Sequence, residues 1–186
     1  MTSIDVTAAW GSRLQVRFER TADRYRHVVS WQAAADGDAS GSAPAMIDVL
    51  RSEEGSAAEA WPPSPPLQSL SIETLPDGRR VAFLVGMAGR GHWSASIEPD
   101  LARQALIFDF ACRSAVLPER LGSHYAIAEQ KVGAGHWQLV SDAEGSAAPK
   151  ITQSSDSIAV ECLLAAAKGP TWRWRYRLEL LPPGNG

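Results

Sequence analysis

The stretch WRWRYRLEL, residues 172–180, decides the fold because its side chains alternate strictly in character. Aromatic and aliphatic residues hold one set of positions and charged residues the other: Trp172, Trp174, Tyr176, Leu178 and Leu180 against Arg173, Arg175, Arg177 and Glu179. Successive side chains of an extended backbone point to opposite faces. The stretch therefore predicts one long β-strand with a buried face and a charged face.

Similar strand patterns recur along the chain, separated by turn residues, at 13–19, 24–32, 67–75, 79–86, 92–98 and 105–113. The first two predict a hairpin, and the last is apolar on both faces, which favours a central strand. Residues 157–164 and 170–181 are predicted to close the sheet as a second hairpin. No segment sustains the three- and four-residue apolar spacing of an amphipathic helix.

These patterns predict an all-β fold, a single-domain antiparallel β-sandwich over residues 1–186, with a closed β-barrel as the alternative. Small, polar or proline-rich residues predict mobile loops near 33–45, 55–66 and 141–149. A chain of 186 residues is long enough to bury one core without disulfides or metals.

Composition excludes several classes of function. The formal net charge of −3 argues against binding to nucleic acid through a general electrostatic attraction. The sequence has no export signal and no run of eighteen apolar residues, so we expect no membrane association. Its two cysteines, Cys112 and Cys162, lie in apolar runs and predict buried free thiols. Together these features predict a cytoplasmic protein.

The sequence lacks the recognised motifs of catalysis, metal binding and cofactor binding. It therefore predicts no catalytic residue, no metal site and no cofactor. Gly86, Gly89 and Gly91 follow a strand but precede another strand, which predicts a hairpin connection rather than a phosphate loop. The run from Asp36 to Gly41 matches the first half of a calcium loop, yet Ile47 stands where the loop needs a bidentate glutamate.

The arginine row, Arg173, Arg175 and Arg177, is the first candidate site for an anionic ligand. Guanidinium groups two residues apart on a strand stand about 7 Å from one another, which suits a phosphate or carboxylate if they face a groove or lumen. On a solvent face they would instead pair with acidic residues of neighbouring strands.

A second candidate set lies on the strand HWSASIE, where alternation places His92 and Ser94 on one face. The carboxylate of Asp109, on the following strand, sits between two phenylalanines and needs a partner if buried. Arg113 and the arginines of other strands are the candidates for that partner. The same row is also compatible with a solvated outer face.

The block from Leu67 to about Ile127 contains PDGRRVAFLVG, GRGHWSASIE, LIFDFACR and LGSHY. It resembles a family of uncharacterised bacterial proteins with all-β character, over about a third of the chain. The resemblance implies a sheet-rich domain. It brings no catalytic residue and no cofactor.

The sequence leaves the function unknown and favours a non-enzymatic binding or interaction module, with a protein partner or a small anionic ligand. The alternative is a barrel-like protein that binds or hydrolyses a phosphorylated small ligand through an inward arginine row. A third hypothesis is assembly through an exposed edge strand.

Overall fold

The computed structural model describes residues 3–34, 44–56, 58–128, 136–144, 147–166 and 169–182. Within these ranges the backbone forms thirteen β-strands and one 3₁₀ turn, Leu164–Ala166. The strands are β1 (Ser3–Thr7), β2 (Arg13–Thr21), β3 (Arg24–Gln32), β4 (Ile47–Ser52), β5 (Leu67–Thr74), β6 (Arg80–Ala88), β7 (Gly91–Asp100), β8 (Ala105–Ser114), β9 (Gly122–Ile127), β10 (Trp137–Asp142), β11 (Lys150–Gln153), β12 (Ser157–Glu161) and β13 (Thr171–Leu180).

The strands form two antiparallel sheets that pack face to face. The seven-stranded sheet has the order β1-β2-β3-β4-β9-β12-β11, and the six-stranded sheet has the order β10-β13-β8-β7-β6-β5. The predicted all-β sandwich is confirmed. The closed-barrel alternative is wrong, because each sheet as described ends in two edge strands that do not pair with each other.

The core lies between the sheets and collects the apolar positions of the alternating strands. On β13 the even-numbered residues are buried and the odd-numbered ones face outward, as the pattern of WRWRYRLEL predicts. Trp174 is fully buried and stacks on Phe110 of β8 at 5.5 Å between ring centroids. Burial of such large aromatic surfaces is the main source of stability in a sandwich of this kind.

Two predictions about strand neighbours are confirmed. Strands β2 and β3 pair along their whole length as a hairpin. Strand β8 lies inside the six-stranded sheet, between β13 and β7, in agreement with its apolar residues on both faces.

The predicted closing hairpin of residues 157–164 and 170–181 is wrong. Strand β12 pairs with β9 and β11 in one sheet, whereas β13 pairs with β8 and β10 in the other. The chain crosses from one sheet to the other through the 3₁₀ turn, where Trp172 Nε1 donates to the carbonyl of Leu164 at 3.2 Å. Alternation identifies a strand and its buried face but carries no information about which sheet the strand joins.

The three predicted loops are only partly within the described residues. Of the 33–45 segment, residues 35–43 lie outside them, and so does the calcium-like run. The described part of 55–66 forms no strand, and its Trp61 packs against the core. The 141–149 prediction begins too early, because β10 continues through Asp142. The mobility of these loops stays a prediction.

In the part of the chain that the structure describes, no helix has the length and apolar character needed to cross a membrane.

Candidate functional site

The outer face of the six-stranded sheet, meaning its side away from the core, contains all of the predicted site residues. Strand register aligns them in rows that run across the sheet. One row is Ser71, Phe83, Ser96, Asp109, Arg175 and Asp142, and the next is Ser69, Val85, Ser94, Ala111 and Arg173. Met87, His92, Arg113 and Thr171 form a third row.

The arginine row points outward, not into the core. Arg173 makes a two-point contact with Asp109, with Nε at 2.7 Å from Oδ1. Arg175 lies 3.2 Å from Asp142 and 3.1 Å from Glu144, measured between guanidinium nitrogen and carboxylate oxygen. The inward row that the barrel-like alternative required is therefore wrong. Of the two kinds of partner predicted for Asp109, the structure has an arginine of another strand, Arg173 of β13, and not Arg113.

Carboxylates neutralise the whole row, since Arg177 also bonds Asp142 at 3.0 Å and Glu179 at 2.9 Å. Burial opposes ionisation of Asp142, but the backbone N–H of Glu144 and the Arg177 guanidinium hold its pKa below the ordinary value. The hydrogen bond from Arg173 to Asp109 raises the pKa of Arg173 further. A phosphorylated ligand would have to displace these carboxylates.

Two other predicted residues, His92 and Arg113, form what we call the basic end of the face. The two stand directly opposite each other on β7 and β8, and both are exposed. No ion pair to either side chain occurs within the described ranges. Here, unlike in the arginine row, the guanidinium group of Arg113 has no carboxylate partner in the part of the chain that the structure describes.

Sequence reasoning missed an apolar stripe beside these residues, formed by Phe83, Val85 and Met87 on β6. They are 42%, 54% and 51% exposed and project from three consecutive outward positions. A signal was present in RRVAFLVGMA, which is apolar at both odd and even positions although β6 lies next to the sheet edge. A half-buried strand normally alternates apolar with polar residues.

Hydroxyl side chains border the stripe on both sides. Ser71 and Ser96 stand opposite Phe83, and Ser69 and Ser94 stand opposite Val85. Because serine is short, the larger side chains of the stripe form a ridge that rises from the sheet.

An alternative site is an open depression of about 470 Å³ beside Arg175, the middle residue of the arginine row. Its other guanidinium group, Arg79, is bound by Asp77 at 2.6 Å and by Glu98 at 3.2 Å. The charges in this depression are thus paired, as in the arginine row.

A buried polar cluster lies between the sheets and was not anticipated from the sequence. His27 Nε2 stands 2.6 Å from the hydroxyl oxygen of Tyr125, which in turn is hydrogen-bonded to the hydroxyl of Tyr176. All three side chains are at most 2% exposed, and burial lowers the pKa of His27 to about 3. These groups tie the two sheets together and have no access to a ligand.

The thiols of Cys112 and Cys162 are both free; Cys112 is buried as predicted, whereas Cys162 is only partly buried, contrary to the prediction. Burial raises the pKa of Cys112 to about 12 and that of Cys162 to about 11. Both therefore remain protonated and unreactive at neutral pH. In the described part of the chain no three residues of the metal-ligating types histidine, cysteine, aspartate and glutamate lie close enough to hold a metal ion.

Comparison of the chain with protein-family models, with curated proteins and with solved structures finds no match. The resemblance of the block from Leu67 to Ile127 to an uncharacterised family thus stays a prediction.

Proposed function

We propose that this protein is a non-enzymatic interaction module that binds a segment of another protein on the outer face of its six-stranded sheet. The observation that supports this most strongly is the apolar stripe. The large side chains of Phe83, Val85 and Met87 stand next to one another, and each is about half exposed. Contiguous exposed apolar surface on a folded protein is typical of interaction sites.

The surroundings of the stripe suit a peptide or a protein surface. Met and aromatic residues are enriched at the centres of interfaces, with polar residues at the rim. Here the rim consists of the serine hydroxyls of Ser69, Ser71, Ser94 and Ser96, which can donate and accept hydrogen bonds.

The distribution of charge on the outer face suggests the composition of the partner segment. The arginine row is balanced by its own carboxylates, so it adds little attraction for a partner. The basic end at His92 and Arg113 lies beside Met87, at one end of the stripe. We therefore expect a partner segment with apolar residues followed by acidic ones.

The non-enzymatic part of the proposal rests on the arrangement of the polar groups. An activated serine nucleophile needs a base within hydrogen-bond reach. Within the described residues, His92 makes no hydrogen bond to Ser94 or Ser96. His27, whose ring is hydrogen-bonded to Tyr125, is sealed in the core.

The phosphorylated-ligand hypothesis is the weaker candidate, because the arginines it needs face outward and are already paired. Thermal unfolding against inorganic phosphate and nucleotides tests it. A rise in the unfolding midpoint for the wild type that is lost in Arg175→Ala would favour it over the present proposal.

Selection from a displayed library of random linear peptides tests the interaction proposal. We expect the wild-type protein to enrich peptides that combine large apolar with acidic residues. Val85→Lys should weaken their binding at least tenfold, because a charge replaces the centre of the stripe. Arg113→Gln should weaken it less and reduce its dependence on salt.

Thr152→Lys is the matched control, since it places the same charge on an exposed strand position of the other sheet. Peptides that bind Val85→Lys as well as they bind Thr152→Lys would refute the proposal.

A further inference from the structure

The edge of the six-stranded sheet at β5 differs from the other sheet edges. β5 has eight residues, against five in β1, six in β10 and four in β11. It carries no charge before Glu73 and no proline. Proteins normally shorten, charge or cover such edges, because an open edge offers unpaired backbone groups to another strand.

The edge at β10 is held to a neighbouring segment by a hydrogen bond. The side chain of Ser141 in β10 donates a hydrogen bond of 2.8 Å to the carbonyl of Pro149, which belongs to the segment that leads into β11. For β5, the described residues supply no second pairing strand beyond β6.

Two hydrogen bonds reveal which backbone groups of β5 are free. The Gln68 side chain accepts from the N–H of Met87 at 3.1 Å and donates to its carbonyl at 3.3 Å. Met87 therefore turns its backbone groups toward β5, and by alternation so do Val85 and Phe83. The backbone groups of their register partners, Ser69 and Ser71, therefore form hydrogen bonds with β6.

The backbone N–H and C=O groups of Leu70 and Ile72 then point to the open edge. Their side chains are partly buried against the core, while Ser69 and Ser71 point to the outer face. The edge thus offers both free hydrogen-bonding groups and apolar side chains.

We propose that β5 pairs antiparallel with β5 of a second copy of this chain, about a two-fold axis at Ser71. In this register Leu70 lies opposite Ile72 of the second copy and forms the hydrogen-bonded pairs with it. Ser71 lies opposite itself, and Ser69 opposite Glu73. No like charges face each other, and apolar meets apolar on the core side.

The second copy is favoured over an unrelated strand because this register matches the whole segment from Gln68 to Thr74 with itself. The product is a continuous twelve-stranded sheet, since a two-fold axis normal to the sheet keeps both outer faces on one side. The two apolar stripes then stand three strand spacings apart, about 14 Å. The pairing does not depend on the proposed function.

Sedimentation velocity over a range of concentrations tests the pairing. Edge pairing alone buries less surface than a standard interface, so we expect a reversible monomer–dimer equilibrium rather than a permanent dimer. Ser71→Lys and Ser71→Glu should each be monomeric, because each places two like charges opposite each other across the axis. An equimolar mixture of the two variants should dimerise again.

The control variant is Thr152→Lys, an exposed hydroxyl on the edge strand β11, which should leave the dimer unchanged. Circular dichroism establishes that each variant is folded. A wild type that stays monomeric at millimolar concentration, or a mixture that fails to regain the dimer, would overturn the proposal.

Discussion

At the scale of single residues, the buried hydroxyl of Tyr125 has an unusual position. It lies between His27 of the same seven-stranded sheet and Tyr176 of the opposite sheet, so one oxygen serves two buried polar partners. Burial and the neighbouring Tyr176 raise the pKa of Tyr125 well above its ordinary value, which keeps the phenol protonated. The sequence contained no signal for this cluster, because its members come from β3, β9 and β13.

Tyr125→Phe should destabilise the fold by about 1–3 kcal/mol, because it leaves both buried partners without their hydrogen bond. Urea unfolding followed by tryptophan fluorescence measures the change. Tyr25→Phe is the control, since Tyr25 is only partly buried and stacks under Arg20, and it should change stability by less than about 0.5 kcal/mol. Equal effects in the two variants would contradict this role for Tyr125.

The pH dependence of stability should reflect two buried groups, His27 and Glu54, whose pKa values are shifted in opposite directions. Burial lowers the pKa of His27 to about 3, so the unfolded chain binds one more proton below pH 6.5 and acid destabilises the fold. Burial raises the pKa of Glu54 to about 7, so between pH 7 and 4.5 the folded chain binds the extra proton and acid stabilises it. The two effects oppose each other between pH 6.5 and 4.5.

Glu54→Gln removes the opposing effect of the glutamate and should therefore reveal the loss of stability in acid that His27 causes. We expect its stability, relative to wild type, to fall as pH drops from 6.5 to 4.5, by up to about 1.4 kcal/mol per pH unit. Urea midpoints at several pH values measure this, with the exposed neighbour variant Glu53→Gln as control. A Glu54→Gln curve parallel to the wild-type curve would show that Glu54 does not titrate in this window.

At the scale of elements, the chain's strands were predictable and their partners only in part. Alternation located β2, β3, β7 and β13, because each has one face in the core, whereas a run that is apolar on both faces located β8. Short strands such as β1 and β11 escaped, since four or five residues give too few alternations. The crossing between β12 and β13 was misread as a hairpin, because local pattern does not specify the sheet.

Gly86 shows how one element constrains another. A Cβ on Gly86 would lie 1.8 Å from the carbonyl oxygen of Pro66, where the chain enters β5 across β6. Gly86→Ala should therefore destabilise the protein by about 1–3 kcal/mol, as measured by thermal unfolding. Gly169→Ala is the control, because a Cβ there meets no described atom within 4 Å. A near-neutral Gly86→Ala would contradict the close approach.

At the scale of the whole molecule, the sequence predicted which residues of each candidate set share a face, but not that the two sets lie on the same sheet, nor the character of that face. His92, Ser94, Asp109, Arg113 and the arginine row do lie on one side of one sheet. Whether the arginines were free or paired depended on Asp142 and Glu144, which come from a different part of the chain. The apolar stripe was hidden, because apolar residues in a strand are ordinarily assigned to the core.

The most direct test of the interaction face is to locate a bound peptide by NMR. With ¹⁵N-labelled protein and a peptide selected on the wild type, amide shift changes should concentrate at residues 83–87, 92–96 and 113. Residues 15–19 and 28–32 of the opposite sheet should remain unchanged. Shift changes centred on the seven-stranded sheet, or on the arginine row without the stripe, would contradict the proposed binding face.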